Sequence, residues 1–173
     1  EFIPDSISID ALKKRYPGQT LTQIYKSLFG YKFEEAQKHF VESLAGYSII
    51  MYLLQVKDRH NGNLLILSSG HIVHIDFGFI LSNAPGGAFA FENAPFKLTQ
   101  DYLELIGGVD SPLYDYFKIL LIQGFIALRK YVDDICDIVE VMSRESTLPC
   151  YDKFSLKEFR DRFKPTLVES EVT

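Results

Sequence analysis

The stretch Asp58-Arg59-His60-Asn61-Gly62-Asn63, followed further on by Asp76-Phe77-Gly78, decides how this chain is interpreted. The Asp that opens the first motif lies five residues before the Asn that closes it, and Asp76 lies thirteen residues after that Asn. Between the motifs, the β-rich segments 64–67 and 71–75 predict a hairpin, since a Ser-Ser-Gly step joins them. The pattern places carboxylates, an amide and an imidazole at the ends of regular elements, where catalytic residues can face one cleft.

These residue types suit phosphoryl transfer. A kinase needs one group to orient or deprotonate the attacking hydroxyl, and side-chain oxygens to hold Mg²⁺ on the ATP phosphates. Asp58 and His60 are both candidates for the first role, and spacing alone does not choose between them. Asn63 and Asp76 are the predicted metal ligands, because oxygen donors suit this hard cation. Asp-Phe-Gly alone is a weak signal, but the four residues together are a strong one.

Composition predicts one compact globular unit. The chain has 173 residues, of which 47% are hydrophobic and 24% are charged. Its formal net charge of −5 gives no indication of nucleic-acid binding. No apolar run reaches the roughly 18 residues that a transmembrane helix requires. Cys136 and Cys150 form no disulfide framework and suit a reducing compartment. His71 and His74 are three apart on a predicted strand, so they face opposite ways and do not favour a zinc site.

Periodicity and capping residues predict a mainly α fold with a small β-hairpin. Residues 1–9 are expected to begin extended, because Pro4 excludes an early helix. Helices are predicted at 21–29, 33–55, from Ser111-Pro112 onward, 133–142 and 155–163. The buried stripe of the second helix is expected to contain Phe40, Leu44, Tyr47, Met51 and Leu54. In the helix at 133–142, the residues expected to face inward are Ile135, Ile138, Val139 and Met142.

Residues 56–63 and 70–81 resemble the catalytic and metal-binding segments of the phosphatidylinositol kinases. They are most similar to the type III phosphatidylinositol 4-kinases, whereas the 3-kinases usually have Gly at the position of Lys57. Three further segments resemble the beta form: residues 94–99, 116–131 and 148–151. The Pro85-Gly86-Gly87 step is similar to the alpha form instead. The resemblance covers nearly the whole chain.

The resemblance implies the large C-terminal lobe of a protein-kinase-like, two-lobed α+β fold. Residues 1–9 would be the hinge and the start of this lobe, 57–63 the catalytic loop, 76–97 the metal-binding motif and activation loop, and 98–173 the C-terminal helices. We see neither a glycine-rich loop nor a strand with a phosphate-binding Lys, so the small N-terminal lobe is expected to be absent and the fragment alone nearly inactive. The implied ATP contacts are Glu1, Phe2, Ile3, Leu65 and Ile75.

The segment 79–96 is expected to face the acceptor. It contains no Lys or Arg, and Lys97 is the first cation after it. A headgroup with several phosphates would require more cations, so phosphatidylinositol fits better than its polyphosphorylated derivatives. Three phenylalanines, Phe79, Phe89 and Phe91, are candidates either for the membrane interface or for packing against the lobe.

By resemblance, the expected reaction is transfer of the ATP γ-phosphate to the 4-hydroxyl of phosphatidylinositol, with ATP and Mg²⁺ (or Mn²⁺) as cofactors. The alternatives are a phosphatidylinositol 3-kinase acting on unphosphorylated lipid, and a non-catalytic kinase-like scaffold. The resemblance also implies a cytoplasmic enzyme, peripheral on Golgi-type membranes and recruited by small GTPases and adaptor proteins. No nucleic-acid partner is expected.

Overall fold

The fold was obtained as a computed structural model, which describes residues 2–84, 94 and 96–167. The described strands and helices follow one another in this order: β1 (Ser6–Ser8), α1 (Ile9–Arg15), α2 (Leu21–Phe29), α3 (Phe33–Leu54), β2 (Leu64–Leu67), β3 (Ile72–His74), α4 (Gln100–Leu105), α5 (Pro112–Arg129), α6 (Val132–Ser143) and α7 (Leu156–Asp161). Short 3₁₀ turns lie at Gly30–Lys32, Asn61–Asn63 and Pro149–Tyr151. The predicted class, mainly helical with a small antiparallel β element, is confirmed.

The chain divides into two compact units. Unit 1 comprises the described residues up to Tyr47, together with Arg59–Asp76 and Lys97–Leu120. Unit 2 comprises Ser48–Asp58, the described residues between Phe77 and Phe96, and those from Leu121 onward.

An antiparallel sheet with the order β1-β2-β3 lies in unit 1. Leu65 is the central pairing position, opposite Ser8 on one side and Val73 on the other. Side chains alternate along β2, so that Leu64 and Ile66 are buried. The hairpin was predicted. The third strand, β1, was not, because its pairing joins residues about sixty positions apart in the sequence.

Side-chain caps fix where several helices begin. Ser8 accepts a hydrogen bond from the backbone N–H of Ala11 at the start of α1. Thr20 and Gln23 form a reciprocal capping box at the start of α2. Ser111 accepts from the Tyr114 N–H just before Pro112 opens α5. The predicted bounds of α2 are confirmed, whereas α1 and α4 were not predicted.

Three aromatic rings meet in the largely aliphatic core of unit 1. The ring of Phe40 meets Tyr25 edge-on at 5.8 Å between centroids, and Tyr102 at 5.3 Å. The Tyr25 hydroxyl, which is buried, donates to the carbonyl of Gly70 at 2.9 Å. This bond satisfies a polar group inside the core and fixes the hairpin turn against α2.

The core of unit 2 has its own set of buried residues: Ile49, Leu53, Leu81, Cys136, Cys150, Phe159 and Phe163. Phe154 and Phe159 meet at 6.0 Å between ring centroids, a hydrophobic contact at the start of α7. Within the described residues, no helix is both long enough and apolar enough to cross a membrane.

The inward face predicted for α6 is partly wrong. Ile138 and Met142 are 61% and 59% exposed. The residues that contact the core are Val132, Ile135, Cys136 and Val139. These four recur at helical spacing along one narrow face, and the two exposed side chains lie outside it.

Candidate active site

Arg59 connects the predicted catalytic loop to the segment that ends at Asp76. Its side chain is only 4% exposed, and its Nη1 donates to the carbonyl of Ile75 at 2.6 Å. Nη2 donates to the carbonyl of Asp76. A planar guanidinium can donate to two oxygens at once, so it suits adjacent carbonyls. Both acceptors are backbone carbonyls of consecutive residues.

His60 begins the 3₁₀ turn Asn61–Asn63 and caps it with its own ring. The Gly62 N–H donates to His60 Nδ1 at 3.0 Å. Nδ1 is therefore the accepting nitrogen, and in the neutral ring the proton lies on Nε2. The ring is exposed, and its contact with Gly62 is so close that a Cβ there would lie 2.9 Å from His60 Cε1.

Asn63 links the turn to the strand that leads to Asp76. Its N–H donates to the His60 carbonyl at 2.9 Å, and its own carbonyl accepts from the Ile75 N–H at 3.0 Å. Asn63 is 7% exposed, whereas Asp76 is exposed. Together with the contacts of Arg59, these bonds bring the backbones of two predicted metal ligands into one braced loop within unit 1.

The two predicted catalytic aspartates share a rare backbone conformation. Asp58 has a φ of 61° and Asp76 a φ of 59°, both in the left-handed region. Non-glycine residues seldom adopt this region, and those that do cluster at functional sites. Asp58 ends its segment of unit 2, while His60, Asn63 and Asp76 belong to unit 1.

His74 is a buried neutral ring at the end of β3. It stacks on Tyr47 with 4.2 Å between ring centroids and 6° between the planes. Burial, and secondarily the positive charge of Arg59, lowers the pKa of His74 from 6.5 to about 4. His71 instead stacks on His39 at 4.4 Å. The two histidines of the hairpin therefore lie against different rings.

The structure describes most, but not all, of the other residues predicted to contact ATP or the lipid. Leu65, Ile75, Ile3 and Phe79 are partly buried, and Phe2 is 85% exposed. Lys97 is exposed. Three predicted residues lie outside the described part of the chain: Glu1, Phe89 and Phe91.

Sequence reasoning missed two residues that shape this region. Gly62 was noted only as part of the motif, although its N–H orients the imidazole. Lys57 was noted only for the resemblance, although it is 9% exposed and its Nζ donates to the carbonyl of Ala94 at 3.3 Å. A Gly two positions after a predicted catalytic His was a usable signal for the first. The second depends on a contact across 37 positions.

The donor set is compatible with Mg²⁺. Asn63 and Asp76 supply an amide oxygen and a carboxylate, and Mg²⁺ in kinases takes few protein oxygens because substrate phosphates complete its coordination. Among the described residues, no three His, Cys, Asp or Glu side chains cluster as an all-protein metal site would require.

Comparison with known proteins identifies the family. A kinase-like fold with this loop agrees with the match of residues 2–152 to the family described as phosphatidylinositol 3- and 4-kinase. The chain belongs to that family. It is 48% identical over 170 residues to a phosphatidylinositol 4-kinase of Dictyostelium discoideum, an alignment that covers 94% of this chain and 14% of the relative.

Beta-type relatives align along almost the full chain. Identity is 48% with phosphatidylinositol 4-kinase beta 1 of Arabidopsis thaliana, covering 99% of this chain and 16% of the relative. Identity is 43% with phosphatidylinositol 4-kinase beta of Danio rerio, covering 99% of this chain and 21% of the relative. The chain therefore spans about a seventh to a fifth of the length of these relatives.

Proposed function

We propose that this chain is the catalytic portion of a phosphatidylinositol 4-kinase, similar to type III beta, that transfers the ATP γ-phosphate to the 4-hydroxyl of phosphatidylinositol. The observation that carries the chemistry is the loop braced by Arg59, in which one network of backbone bonds connects His60, Asn63 and Asp76. The 4-position is supported by the names of the relatives alone.

The geometry of His60 favours one division of roles. Nδ1 accepts from the Gly62 N–H, so the neutral ring carries its proton on Nε2, and we assign His60 to stabilising an oxygen of the transferring phosphate. Asp58 then orients the lipid hydroxyl and takes its proton. The alternative, in which His60 is the base, predicts the same transfer reaction.

Asn63 and Asp76 are the proposed ligands for Mg²⁺ (or Mn²⁺). When bound, the cation neutralises charge on the phosphate oxygens. We assign the apolar floor beneath adenine to Leu65 and Ile75, and the hinge to the first residues, Glu1, Phe2 and Ile3. Asn63 is nearly buried, whereas Asp76 is exposed to solvent.

The proposed organisation is that of a large lobe: residues 1–9 are the hinge, 57–63 the catalytic loop, 76–97 the metal-binding motif and activation loop, and 98–173 the C-terminal helices. Phe79, Phe89, Phe91 and Lys97 are assigned to the acceptor side. The absence of Lys and Arg from residues 79–96 favours an acceptor with a single diester phosphate. Peripheral association with Golgi-type membranes, through small GTPases and adaptor proteins, completes the proposal.

The test is a transfer assay on the full-length protein, with phosphatidylinositol vesicles, Mg²⁺-ATP and chromatographic identification of the product isomer. Asp76→Asn keeps the size of the side chain but removes its charge, and it is expected to reduce kcat at least about 100-fold. Asp134→Asn, the same change at an exposed position of α6, is the matched control and should retain wild-type kcat.

A 4-phosphate product that is lost in Asp76→Asn supports the proposal. A 3-phosphate product would support the same transfer mechanism but would mean that the enzyme is a phosphatidylinositol 3-kinase rather than a 4-kinase. No transfer by the folded full-length protein, together with no Mg²⁺-dependent nucleotide binding, would favour the scaffold. The isolated 173-residue chain is expected to be nearly inactive, and robust turnover by it would contradict the assigned lobe organisation.

A further inference from the structure

Helix α6 presents three large apolar side chains to solvent. Ile138 is 61% exposed, Val141 64% and Met142 59%. They lie three or four positions apart, so they form one continuous ridge along the helix, outside the face that packs on the core of unit 2. Single exposed apolar residues are ordinary, whereas contiguous apolar patches mark surfaces that bind a partner.

Exposed acidic side chains border this ridge. Asp134 lies four positions before Ile138, and Asp137 lies four positions before Val141, so both adjoin the ridge on the helix surface. Glu145 follows just beyond the end of the helix. All three acids are exposed, and within the part of the chain that the structure describes none of them forms an ion pair.

The neighbouring charges of α6 are compensated. Asp133 pairs with Arg160 at 2.5 Å, and Glu140 pairs with Arg144 at 3.0 Å. The charge left uncompensated around the ridge is therefore negative. Negative charge is repelled by the anionic lipids of the cytoplasmic leaflet and attracts a protein surface that carries Lys or Arg. The ridge thus suits a basic protein better than a membrane.

Glu145 stands against two local preferences. Its φ of 55° lies in the left-handed region, and Gly is the residue favoured at this position after a helix. An acidic side chain is also unfavourable at a helix C-terminus, which carries partial negative charge. Residues that break local preferences are expected where function requires them. The carboxylate of Glu145 therefore supports a role for this surface in recognition.

We propose that the ridge of Ile138, Val141 and Met142 is a docking surface for an amphipathic helix of a partner protein, one whose apolar stripe is flanked by Lys or Arg. Side chains at this spacing pack into the grooves of a second helix. The apolar ridge supplies affinity, and the acids orient the partner. The inference goes beyond the proposed catalytic function and does not depend on it, since these residues are not part of the candidate active site.

The main test uses a designed helical peptide of Leu and Lys, about five turns long, with Leu along one face. Its binding to the full-length protein is measured by fluorescence anisotropy. We expect Val141→Gln to weaken binding about tenfold, since it removes a central apolar contact. The same peptide with Glu in place of Lys should bind wild type at least about tenfold more weakly. Val109→Gln, at a 54% exposed position of unit 1, is the matched control and should bind as wild type does.

Glu145→Gly distinguishes recognition from folding. Gly relieves the left-handed backbone, so the urea midpoint of unfolding should be no lower than in wild type. Binding of the Lys-containing peptide should nevertheless weaken several-fold, because a carboxylate is lost. Unchanged binding in Val141→Gln and Glu145→Gly, or equal binding of the two peptides by wild type, would overturn the proposal.

The two methionines of the chain give a second measurement on the full-length protein. Met142 is exposed, whereas Met51 is only 2% exposed. Hydrogen peroxide should therefore oxidise Met142 faster, and the Lys-containing peptide should slow this oxidation several-fold without changing that of Met51. Slow oxidation of Met142 in the absence of peptide would mean that another part of the protein covers α6, which overturns the proposal.

Two other occupants have distinct results. Self-association in sedimentation that is lost in Val141→Gln would assign the ridge to a second copy of this chain, and flotation with vesicles that is lost in Val141→Gln would assign it to a membrane. Either result overturns the helix-docking proposal. Val141→Gln should keep the wild-type kcat in the transfer assay, and the peptide measurements stand even if the proposed function fails.

Discussion

Arg59 Nη1 lies 2.6 Å from the carbonyl oxygen of Ile75, sixteen positions further along the chain. The carbonyl belongs to the residue just before Asp76, and the same guanidinium also binds the carbonyl of Asp76. The buried guanidinium of Arg59 thus fixes the backbone of Asp76, a proposed metal ligand.

Arg59→Met should therefore affect both stability and activity. Loss of charge-assisted bonds to two carbonyls is expected to lower the free energy of unfolding by about 3 kcal/mol. Misplacement of Asp76 should reduce kcat about 100-fold. Urea denaturation and the transfer assay measure the two effects. Arg144→Met, at a surface ion pair with Glu140, is the control and should change stability by less than about 0.5 kcal/mol.

Gly62→Ala tests the orientation of His60 without altering the imidazole itself. The new Cβ would lie 2.9 Å from Cε1 and 3.0 Å from Nδ1 of His60, so the ring must shift. We expect kcat to fall about tenfold or more with little loss of stability, because a small displacement of a catalytic group is costly. Gly46→Ala, where a Cβ meets nothing within 4 Å, should keep wild-type kcat. Normal kcat in Gly62→Ala would remove the support for the assigned role of His60.

Two glycines with nearly the same φ allow the energetic cost of backbone strain to be distinguished from that of steric overlap. Gly70 has a φ of 91° and Gly108 a φ of 90°, but a Cβ at Gly70 would lie 2.7 Å from the Cα of Ala36, whereas one at Gly108 meets nothing within 4 Å. Gly108→Ala should cost about 1 kcal/mol of stability through strain alone. Gly70→Ala should cost about 3 kcal/mol, because the hairpin turn must move away from α3. If denaturant unfolding showed equal losses of unfolding free energy in Gly70→Ala and Gly108→Ala, the steric overlap at Gly70 would be contradicted.

Much of this fold was predictable because its signals are local. The bounds of α2 follow from a helical apolar pattern ended by Gly30, and the hairpin from two β-rich runs around Gly70. The apolar pattern of α6 was less informative, since apolar side chains surround much of that helix and only the packing of unit 2 selects which ones are buried. β1 could not be predicted, because three residues with one apolar side chain become a strand only by pairing with β2.

The candidate site, like the fold, was predictable only where its signals are local in the sequence. Residue types and spacing predict Asp58, His60, Asn63 and Asp76 as the site residues, and their roles stay predictions until the transfer assay is made. They could not show that Nδ1 of His60 is occupied by the Gly62 N–H, since that depends on a side-chain rotamer. Nor could they reveal the bond from Lys57 to Ala94, which forms only when distant segments are folded together.

His74 predicts how stability depends on pH. The pKa of this residue falls from 6.5 in the unfolded chain to about 4 in the folded one, chiefly through burial. Between these values the unfolded chain binds a proton that the folded chain does not, so stability rises with pH across this window and is lost as pH falls through it. Above pH 6.5 both states are neutral and this contribution is constant. The loss is complete only below the folded pKa of about 4, where both states are protonated, and amounts to about 3 kcal/mol.

His74→Phe isolates this contribution, because Phe keeps an aromatic ring against Tyr47 and removes the titration. Unfolding by urea should be measured for wild type and variant at several pH values between 4 and 7.5. The variant is expected to lose less stability than wild type as pH falls below 6.5, while the difference between them stays constant at higher pH. Parallel stability curves across the whole range would mean that His74 becomes protonated equally easily in both states, and that its burial against Tyr47 does not persist in solution.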